Sequence, residues 1–137
     1  MTPGKACPIV LRNASAHTEL LAFRHPLAGL QLVKGSIEPG ESPAHAALRE
    51  LCEESGLVAT HVSRDLGPWA SGFDGQVWSF QRCEVSDPLA DRWSHRTLDG
   101  GGLVFEFFWH PLHAEPDAAW HEVYRRAIAA VRHRLAA

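Results

Sequence analysis

Residues 35–57, with the sequence GSIEPGESPAHAALRELCEESGL, join a glycine-containing loop to an acidic helix and decide the fold. The helix is predicted to begin at Ser42, whose hydroxyl can accept a free backbone N–H, and Pro43 tolerates the first helical position. Gly56 can end the helix in a left-handed conformation. Apolar residues at helical spacing form a stripe that should face a β-sheet. The stripe comprises Ala44, Ala47, Leu48 and Leu51.

Three glutamates of this helix, Glu50, Glu53 and Glu54, are predicted to share one face, because they are spaced i, i+3 and i+4. We expect that face to lie opposite the Leu48 side of the apolar stripe. Like charges at this spacing repel and the helix C-terminus disfavours anions, so the cluster needs either open solvent or a cation. A solvated acidic face is the ordinary interpretation. Carboxylate oxygens, with Glu41 just upstream, also suit Mg²⁺ or Mn²⁺, which bridge to phosphates.

The rest of the chain alternates between predicted strands and a second helix. Strands are predicted over residues 6–12, 18–23, 58–62, 77–85 and 103–109, with a short apolar run over 30–33. Residues 86–102 are rich in turn residues. A last helix is predicted from about Asp117, with an apolar face made of Trp120, Val123, Ala127, Val131 and Leu135. Interleaved strands and helices favour a single α/β domain with helices packed on a mixed sheet.

Residues 35–57 resemble the Nudix box, which reads Gly, five residues, Glu, seven residues, then Arg-Glu-apolar-any-Glu-Glu-any-Gly-apolar. Every specified position is filled, by Gly35, Glu41, Arg49, Glu50, Leu51, Glu53, Glu54, Gly56 and Leu57. The order of the flanking strands and the final helix also look like the Nudix α/β/α sandwich. The resemblance therefore implies one Nudix hydrolase domain over residues 1–137, with a mixed β-sheet between helices.

The resemblance also implies a reaction, in which metal-activated water attacks phosphorus and cleaves a nucleoside diphosphate from another group. The cofactor that it implies is Mg²⁺, with Mn²⁺ as a substitute. The implied metal ligands are Glu50, Glu53 and Glu54, with Glu41 and the backbone around Lys34 and Gly35 in support. Arg49 would hold a glutamate in position. Simpler alternatives are an ordinary helix ion pair for Arg49 and a turn for Gly35.

The general base is left open by the sequence, since Nudix enzymes use either a box glutamate, here Glu53, or a glutamate on a distant loop or strand. Glu106 is the best distant candidate, because a lone Glu among apolar neighbours would be costly to bury unpaired. Its alternative interpretation is the solvent side of an alternating strand. Asp99 is a weaker candidate, since an Asp before three glycines usually forms a turn.

The candidates for substrate binding carry weaker signals. Lys34 precedes the box, where a cation could meet a phosphate, and Arg24 could also reach one, although a surface role is the more common one for such residues. Trp69 and Trp93, in segments interpreted as turns, could stack on a base. The proline and tyrosine that mark some Nudix substrate groups beyond the box are absent, so the substrate stays open.

Composition limits the partners. A formal net charge of −3 without a Lys/Arg-rich run argues against polymeric nucleic acid, so a small-molecule nucleotide is the expected partner, with a homodimer as an option. We expect neither a membrane span nor a signal peptide. Three cysteines without a CxxC pair favour reduced thiols and a cytoplasmic location. A Nudix-fold ligand sensor and a protein with a merely solvated acidic helix are the alternatives to an enzyme.

Overall fold

The computed structural model describes residues 1–97 and 101–137, so Asp99 lies outside the described residues. The described residues form nine strands and two helices. The strands are β1 (Lys5–Ile9), β2 (Leu11–Ala14), β3 (His17–His25), β4 (Gly29–Gln31), β5 (Gly35–Ser36), β6 (His61–Ala70), β7 (Val77–Glu84), β8 (Trp93–Arg96) and β9 (Val104–Pro111). The helices are α1 (Pro43–Ser55) and α2 (Glu122–Ala136).

The strands form two sheets rather than the single sheet expected. The four-stranded sheet has the order β5-β1-β7-β6 and is mixed, because β1 and β7 run parallel while its other pairs are antiparallel. The five-stranded sheet is antiparallel, with the order β2-β3-β9-β8 and β4 on β3. The strand predicted over residues 6–12 is in fact β1 and β2, which belong to different sheets and meet at Val10.

The two helices cover opposite faces of the strands. Successive residues of one strand point to opposite faces, and in β3 Leu21 and Phe23 pack with α1 while Leu20 and Ala22 pack with α2. The same alternation occurs in β1, where Ala6 lies on the α1 side. The mixed α/β fold with helices on both faces, predicted from the sequence, is confirmed.

Helix α1 begins and ends where the sequence predicts. The Ser42 hydroxyl accepts the His45 N–H at 3.1 Å, Pro43 occupies the first turn, and Gly56 is left-handed with φ of 79°. The buried face differs slightly from the predicted stripe, because Ala46, rather than Ala44, is fully buried beside Ala47 and Leu51.

Three elements depart from the predictions. Strand β6 starts at His61 and continues to Ala70, well beyond the predicted end at residue 62. Strand β8 lies inside the segment interpreted as turns. Helix α2 begins at Glu122, after a turn in which Asp117 accepts the N–H groups of Ala119 and Trp120.

Among the described residues, no helix has both the length and the apolar character that crossing a bilayer requires.

Candidate active site

Arg49 lies at the centre of the carboxylates on α1 and the preceding loop. Its Nε and Nη2 donate to the two oxygens of Glu41, each at 2.8 Å, in a bidentate pair. Its Nη1 donates to Glu50 Oε1 at 2.8 Å and to Glu53 Oε2 at 3.2 Å. Its Nη2 also donates to the Ser36 carbonyl at 2.8 Å, which ties α1 to β5. One guanidinium therefore organises three of the four box glutamates.

Glu41 and Arg49 stabilise each other's charged form. Hydrogen bonds from Arg49 lower the pKa of Glu41 to about 2, and the Glu38 N–H, which donates to Glu41 Oε1 at 3.0 Å, acts in the same direction. The hydrogen bond to Glu41 in turn raises the pKa of Arg49. Charge-assisted, bidentate pairs of this kind are the strong ones. Glu41 is thus an anion locked into one orientation at all ordinary pH values.

Glu50 is buried, although the sequence predicts it on the face away from the core. Only 7% of the residue is exposed, because β5 lies directly over its carboxylate. A Cβ atom placed on Gly35 would overlap the Glu50 carboxyl group. Gly35 therefore has a specific reason to be glycine, which is the close approach of a carboxylate rather than a turn conformation.

Glu53 and Glu54 differ in their surroundings. The Glu53 side chain is 46% exposed and makes the longest of the Arg49 hydrogen bonds, at 3.2 Å. Glu54 is half-buried and faces the α2 side of the sheets. Burial raises the pKa of both Cys7 and Tyr124, and the negative charge of Glu54 adds to the rise in each. The acidic face predicted from the sequence is therefore split into one exposed carboxylate, one half-buried and one buried.

Lys34 lies beside this carboxylate cluster. Its Nζ lies over the Trp78 ring at 4.6 Å and the Tyr124 ring at 5.7 Å, and donates to Gln76 Oε1 at 3.3 Å. Burial lowers the pKa of Lys34 and the charge of Lys5 lowers it further, whereas Glu54 raises it. A half-buried ammonium between aromatic faces and a carboxylate is suited to contact an anion at this point.

The carboxylates have the right chemistry for a divalent cation but are not gathered around an empty position. Glu50, Glu53 and Glu54 supply the oxygen ligands that Mg²⁺ prefers. Within residues 1–97 and 101–137, however, no three His, Cys, Asp or Glu side chains are arranged as a ready metal site. Arg49 instead occupies the space between Glu50 and Glu53 as their cation.

Arg24 and Glu106 belong to a different part of the molecule from the Arg49 network. They are register partners on β3 and β9, both exposed on the face of the five-stranded sheet that α2 partly covers. They line a cavity of about 410 Å³ together with Arg92, Ser94 and neighbouring apolar residues. The Glu106 side chain is exposed, as expected for the solvent side of an alternating strand. Its role as the general base stays a prediction.

Trp69 does not lie in a turn, as the sequence interpretation had it, but in β6. It packs edge-on against Trp78 and tilted against Phe80, at 5.3 and 5.4 Å between ring centroids, and Arg126 lies over its ring. Trp69 is therefore part of the apolar cluster under α2, half-buried. Only the exposed part of the Trp69 ring is free to stack on a base, and that role stays a prediction.

Strand β8 supports the last turn of α1 and was missed by sequence reasoning. Trp93 Nε1 donates to the Ser55 carbonyl at 2.9 Å, and His95 Nε2 lies 3.2 Å from the Glu53 carbonyl. These contacts bind free carbonyls at a helix end whose last turn contains no basic residue. A four-residue strand within a turn-rich segment left no periodic signal from which to predict it.

The fold and the site together define a class: mixed α/β proteins with helices on both faces of the strands and an arginine-ordered cluster of glutamates on one helix and the loop before it. Comparison with known families agrees, because the NUDIX domain model matches residues 2–131. The chain belongs to the NUDIX family. The family predicted from residues 35–57 is therefore confirmed, while the roles of the individual box residues stay predictions.

Curated and solved relatives are similar to the chain over different extents. A segment of 39 residues is 44% identical to the RNA pyrophosphohydrolase of Brucella ovis, and the match covers 28% of this chain and 22% of that protein. A UDP-X diphosphatase has the same fold, with a TM-score of 0.69 and 16% identity over 99% of this chain and 64% of that one. The NUDIX domain of Shewanella oneidensis NrtR, solved with ADP ribose, has a TM-score of 0.68 and 18% identity over 98% of this chain and 89% of that one.

Proposed function

We propose that this chain is a Mg²⁺-dependent pyrophosphohydrolase that cleaves the pyrophosphate bond between a nucleoside diphosphate and another group. The observation that carries the proposal is the Arg49 network, in which one guanidinium orders Glu41, Glu50 and Glu53 beside a glycine that leaves room only for a carboxylate. The names of three similar proteins support this substrate class: an RNA pyrophosphohydrolase, a UDP-X diphosphatase and a NUDIX domain solved with ADP ribose.

Glu50, Glu53 and Glu54 would hold the Mg²⁺ ion, with Mn²⁺ as a substitute. A bound divalent cation neutralises the phosphates and lowers the pKa of its bound water. Arg49 competes with that cation for the Glu50 and Glu53 carboxylates, while its bidentate bond to Glu41 keeps the guanidinium in place. Arg49 and Glu41 are therefore positioning residues that hold the ligands on α1 against β5.

The other residues of the site would bind the substrate or move its proton. Lys34, half-buried beside Glu54, would contact a phosphate oxygen. Glu53 is the favoured proton acceptor, because it is the most exposed of the three carboxylates that accept hydrogen bonds from Arg49 and its bond is the longest of them. Glu106 stays the alternative base. Arg24 and Trp69 would contact the part of the substrate that extends beyond the phosphates.

A panel of substrates tests the proposal most directly. Purified protein is incubated with Mg²⁺ or Mn²⁺ and with nucleoside triphosphates, dinucleoside polyphosphates, nucleotide sugars, ADP ribose and 5′-triphosphorylated oligonucleotides, and the products are identified. We expect release of a nucleoside monophosphate or of pyrophosphate from at least one class, abolished by EDTA. Tight binding without hydrolysis of any compound would instead indicate a ligand sensor.

Two substitutions test the metal ligands. We expect Glu53→Gln and Glu54→Gln each to lower kcat by at least about 100-fold, because a neutral amide replaces an anionic ligand. Isothermal titration with Mn²⁺ should show weaker metal binding, and circular dichroism an unchanged fold. Glu115→Gln, at an exposed glutamate that pairs with Arg132 at 3.0 Å, is the matched control and should keep wild-type activity. Near-normal turnover in both box variants would contradict the metal assignment.

A further inference from the structure

A row of register partners crosses four strands of the five-stranded sheet. Leu30 on β4 pairs with Arg24 on β3, Arg24 with Glu106 on β9, and Glu106 with Ser94 on β8. Register partners point to the same face of an antiparallel sheet. This row, with Arg92 at its edge, lines the cavity of about 410 Å³, a volume within the range of small-molecule sites.

Helix α2 and the turn before it reach this row only at Leu30, whose N–H donates to the Ala119 carbonyl at 3.1 Å, and leave Arg24, Glu106 and Ser94 exposed. On β3 and β9 they cover the sheet as far as the next pair along the strands, Ala22 and Phe108. Phe108 packs against Trp120, at 6.2 Å between ring centroids, and so forms an apolar wall at the end of the open row. The cavity therefore lies on the α2 side of the sheet, with the charged side chains of Arg24, Glu106 and Arg92 next to the apolar side chains of Leu30 and Phe108.

The charged groups of this row are not used within the protein. Cross-strand partners have Cβ atoms about 4.5–5.5 Å apart, a distance at which Arg24 and Glu106 could pair. Within residues 1–97 and 101–137, however, the side chains of Arg24, Glu106 and Arg92 make no hydrogen bond or ion pair. Two guanidinium groups and one carboxylate thus offer both donors and acceptors to whatever occupies the cavity.

The cavity lies within reach of the proposed phosphate site. Leu30 and Lys34 are separated by four residues, which span at most about 14 Å even when fully extended. A ligand whose phosphates contact Lys34 can therefore place its attached group over the row.

We propose that this cavity recognises a guanine base, an inference that rests on the proposed function of the same site. Guanine presents two neighbouring donors, N1–H and the N2 amino group, which one carboxylate can accept together. It also presents two neighbouring acceptors, O6 and N7, which an arginine donates to in a bidentate pair. Adenine has a single amino donor between acceptors, so Glu106 would face a lone pair. A phosphate group in the cavity would pair with the arginines but would place a second anion beside the Glu106 carboxylate.

The test measures binding without catalysis, by isothermal titration of GMP, IMP, AMP, CMP and inorganic phosphate in EDTA. GMP should bind at least about 10-fold more tightly than AMP, since a bidentate contact to the correct base gives discrimination of this size or more. IMP lacks the N2 amino group and should bind more weakly than GMP to the wild type. Equal affinity for the mononucleotides, or a site that prefers phosphate to GMP, would overturn the inference.

Substitutions test which residue contacts each edge of the base. Glu106→Gln should remove the preference for GMP over IMP, because a glutamine offers one acceptor instead of two, whereas Arg24→Ala and Arg92→Ala should weaken both ligands alike. Arg125→Ala, at an exposed arginine on α2, makes the same charge change away from the cavity and should change nothing. A preference for GMP over IMP that survives in Glu106→Gln would overturn the inference. So would a loss of kcat in that variant that is equal for all nucleotides and leaves KM unchanged.

The two proposals fail separately. A GMP preference in EDTA without hydrolysis of any substrate would contradict only the proposed function. Metal-dependent hydrolysis that is indifferent to the base, with no GMP preference in binding, would contradict only the assignment of the cavity.

Discussion

At the scale of single residues, Gly35 and Glu50 depend on each other. The carboxylate of Glu50 occupies the space where any other residue at position 35 would place its Cβ atom. Burial of a carboxylate needs compensating hydrogen bonds, and Arg49 supplies one to Glu50 at 2.8 Å. A change at Gly35 would therefore disturb Glu50, one of the proposed metal ligands, as well as local packing.

We expect Gly35→Ala to lower the free energy of unfolding by about 1–3 kcal/mol, the usual cost of forcing atoms into a packed site. It should also weaken Mn²⁺ binding, because Glu50 must move. Urea denaturation and metal titration measure the two effects. Gly4→Ala is the control, since a Cβ on Gly4 meets nothing within 4 Å. Equal stability and equal Mn²⁺ affinity of the two variants would contradict the close approach of Glu50 to Gly35.

The ion pair of Glu41 and Arg49 predicts an acid dependence of stability. The pKa of Glu41 is lowered to about 2 by Arg49, so its bond stabilises the folded protein fully above the ordinary pKa of a glutamate, about 4.5. That contribution is lost as the pH falls from about 4.5 towards 2. We expect the difference in the free energy of unfolding between wild type and Glu41→Gln to be constant above pH 5 and to shrink below it.

Chemical denaturation in EDTA at pH 6 and at pH 3 measures this difference. Glu115→Gln is again the control. Because the Glu115 side chain is exposed, its replacement should change the free energy of unfolding little at either pH. A difference for Glu41→Gln that is the same at both pH values would contradict the role of its charge.

At the scale of elements, the contact between β8 and α1 secures the turn that carries Glu53 and Glu54. Trp93 stacks on Phe107 with an interplanar angle of 9° and donates its indole N–H to the Ser55 carbonyl. The strand thus joins the five-stranded sheet to the C-terminal end of the catalytic helix proposed here. Loosening this contact should affect the metal ligands before the rest of the fold.

We expect Trp93→Phe to lower the free energy of unfolding by about 1 kcal/mol more than Trp69→Phe does. Both changes shorten a half-buried indole, but only Trp93 loses a hydrogen bond to the backbone. Urea denaturation compares the two, and amide exchange should quicken in residues 53–56 of the Trp93 variant only. Equal losses and unchanged exchange would show that the hydrogen bond contributes nothing.

Helix α1 could be predicted closely from sequence because its signals are local. Ser42, Pro43 and Gly56 act through backbone geometry within a few residues, and the 3.6-residue period places the glutamates. The burial of Glu50 could not be predicted, since it depends on β5, which is two residues long and paired with β1. Strand β6 was predicted too short because its residues alternate imperfectly around two register shifts.

At the scale of the whole molecule, the two helices enclose thiols on both faces of the strands. Cys7 and Cys83 are buried, in the clusters on the α2 and α1 sides respectively, while Cys52 is exposed on α1. Burial raises the pKa of Cys83 to about 12 and also raises that of Cys7, so neither forms a thiolate in the folded protein. Thiol reactivity therefore reports on the integrity of both layers.

We expect one thiol per chain to react quickly with Ellman's reagent at pH 8, and the other two only at the rate of global unfolding. Cys52→Ser should abolish the fast phase, and denaturant should release the two slow thiols together. The absorbance of the released thiolate measures each phase. Fast reaction of a second thiol in the Cys52→Ser protein would show that one layer opens independently.

The cavity on the five-stranded sheet shows where prediction from sequence stops. Arg24 and Glu106 are 82 positions apart in the chain, and only the pairing of β3 with β9 makes them neighbours. Ser94 joins them through β8, an element without a periodic signal. The sequence therefore offered Arg24 and Glu106 as separate candidates, but it carried no signal that they share one cavity.

The parallel pairing of β1 with β7 also determines the order in which the chain can fold. Lys5 pairs with Trp78, which lies 73 positions later, whereas the pairings of β2 with β3 and of β3 with β4 join near neighbours. During synthesis the hairpins and α1 therefore leave the ribosome before the strand that completes the four-stranded sheet. Closing so long a loop costs only about 0.6 kcal/mol more for each doubling of its length, but it slows folding. The glutamates of α1 are thus made early, and they acquire their supporting sheet only when β7 arrives.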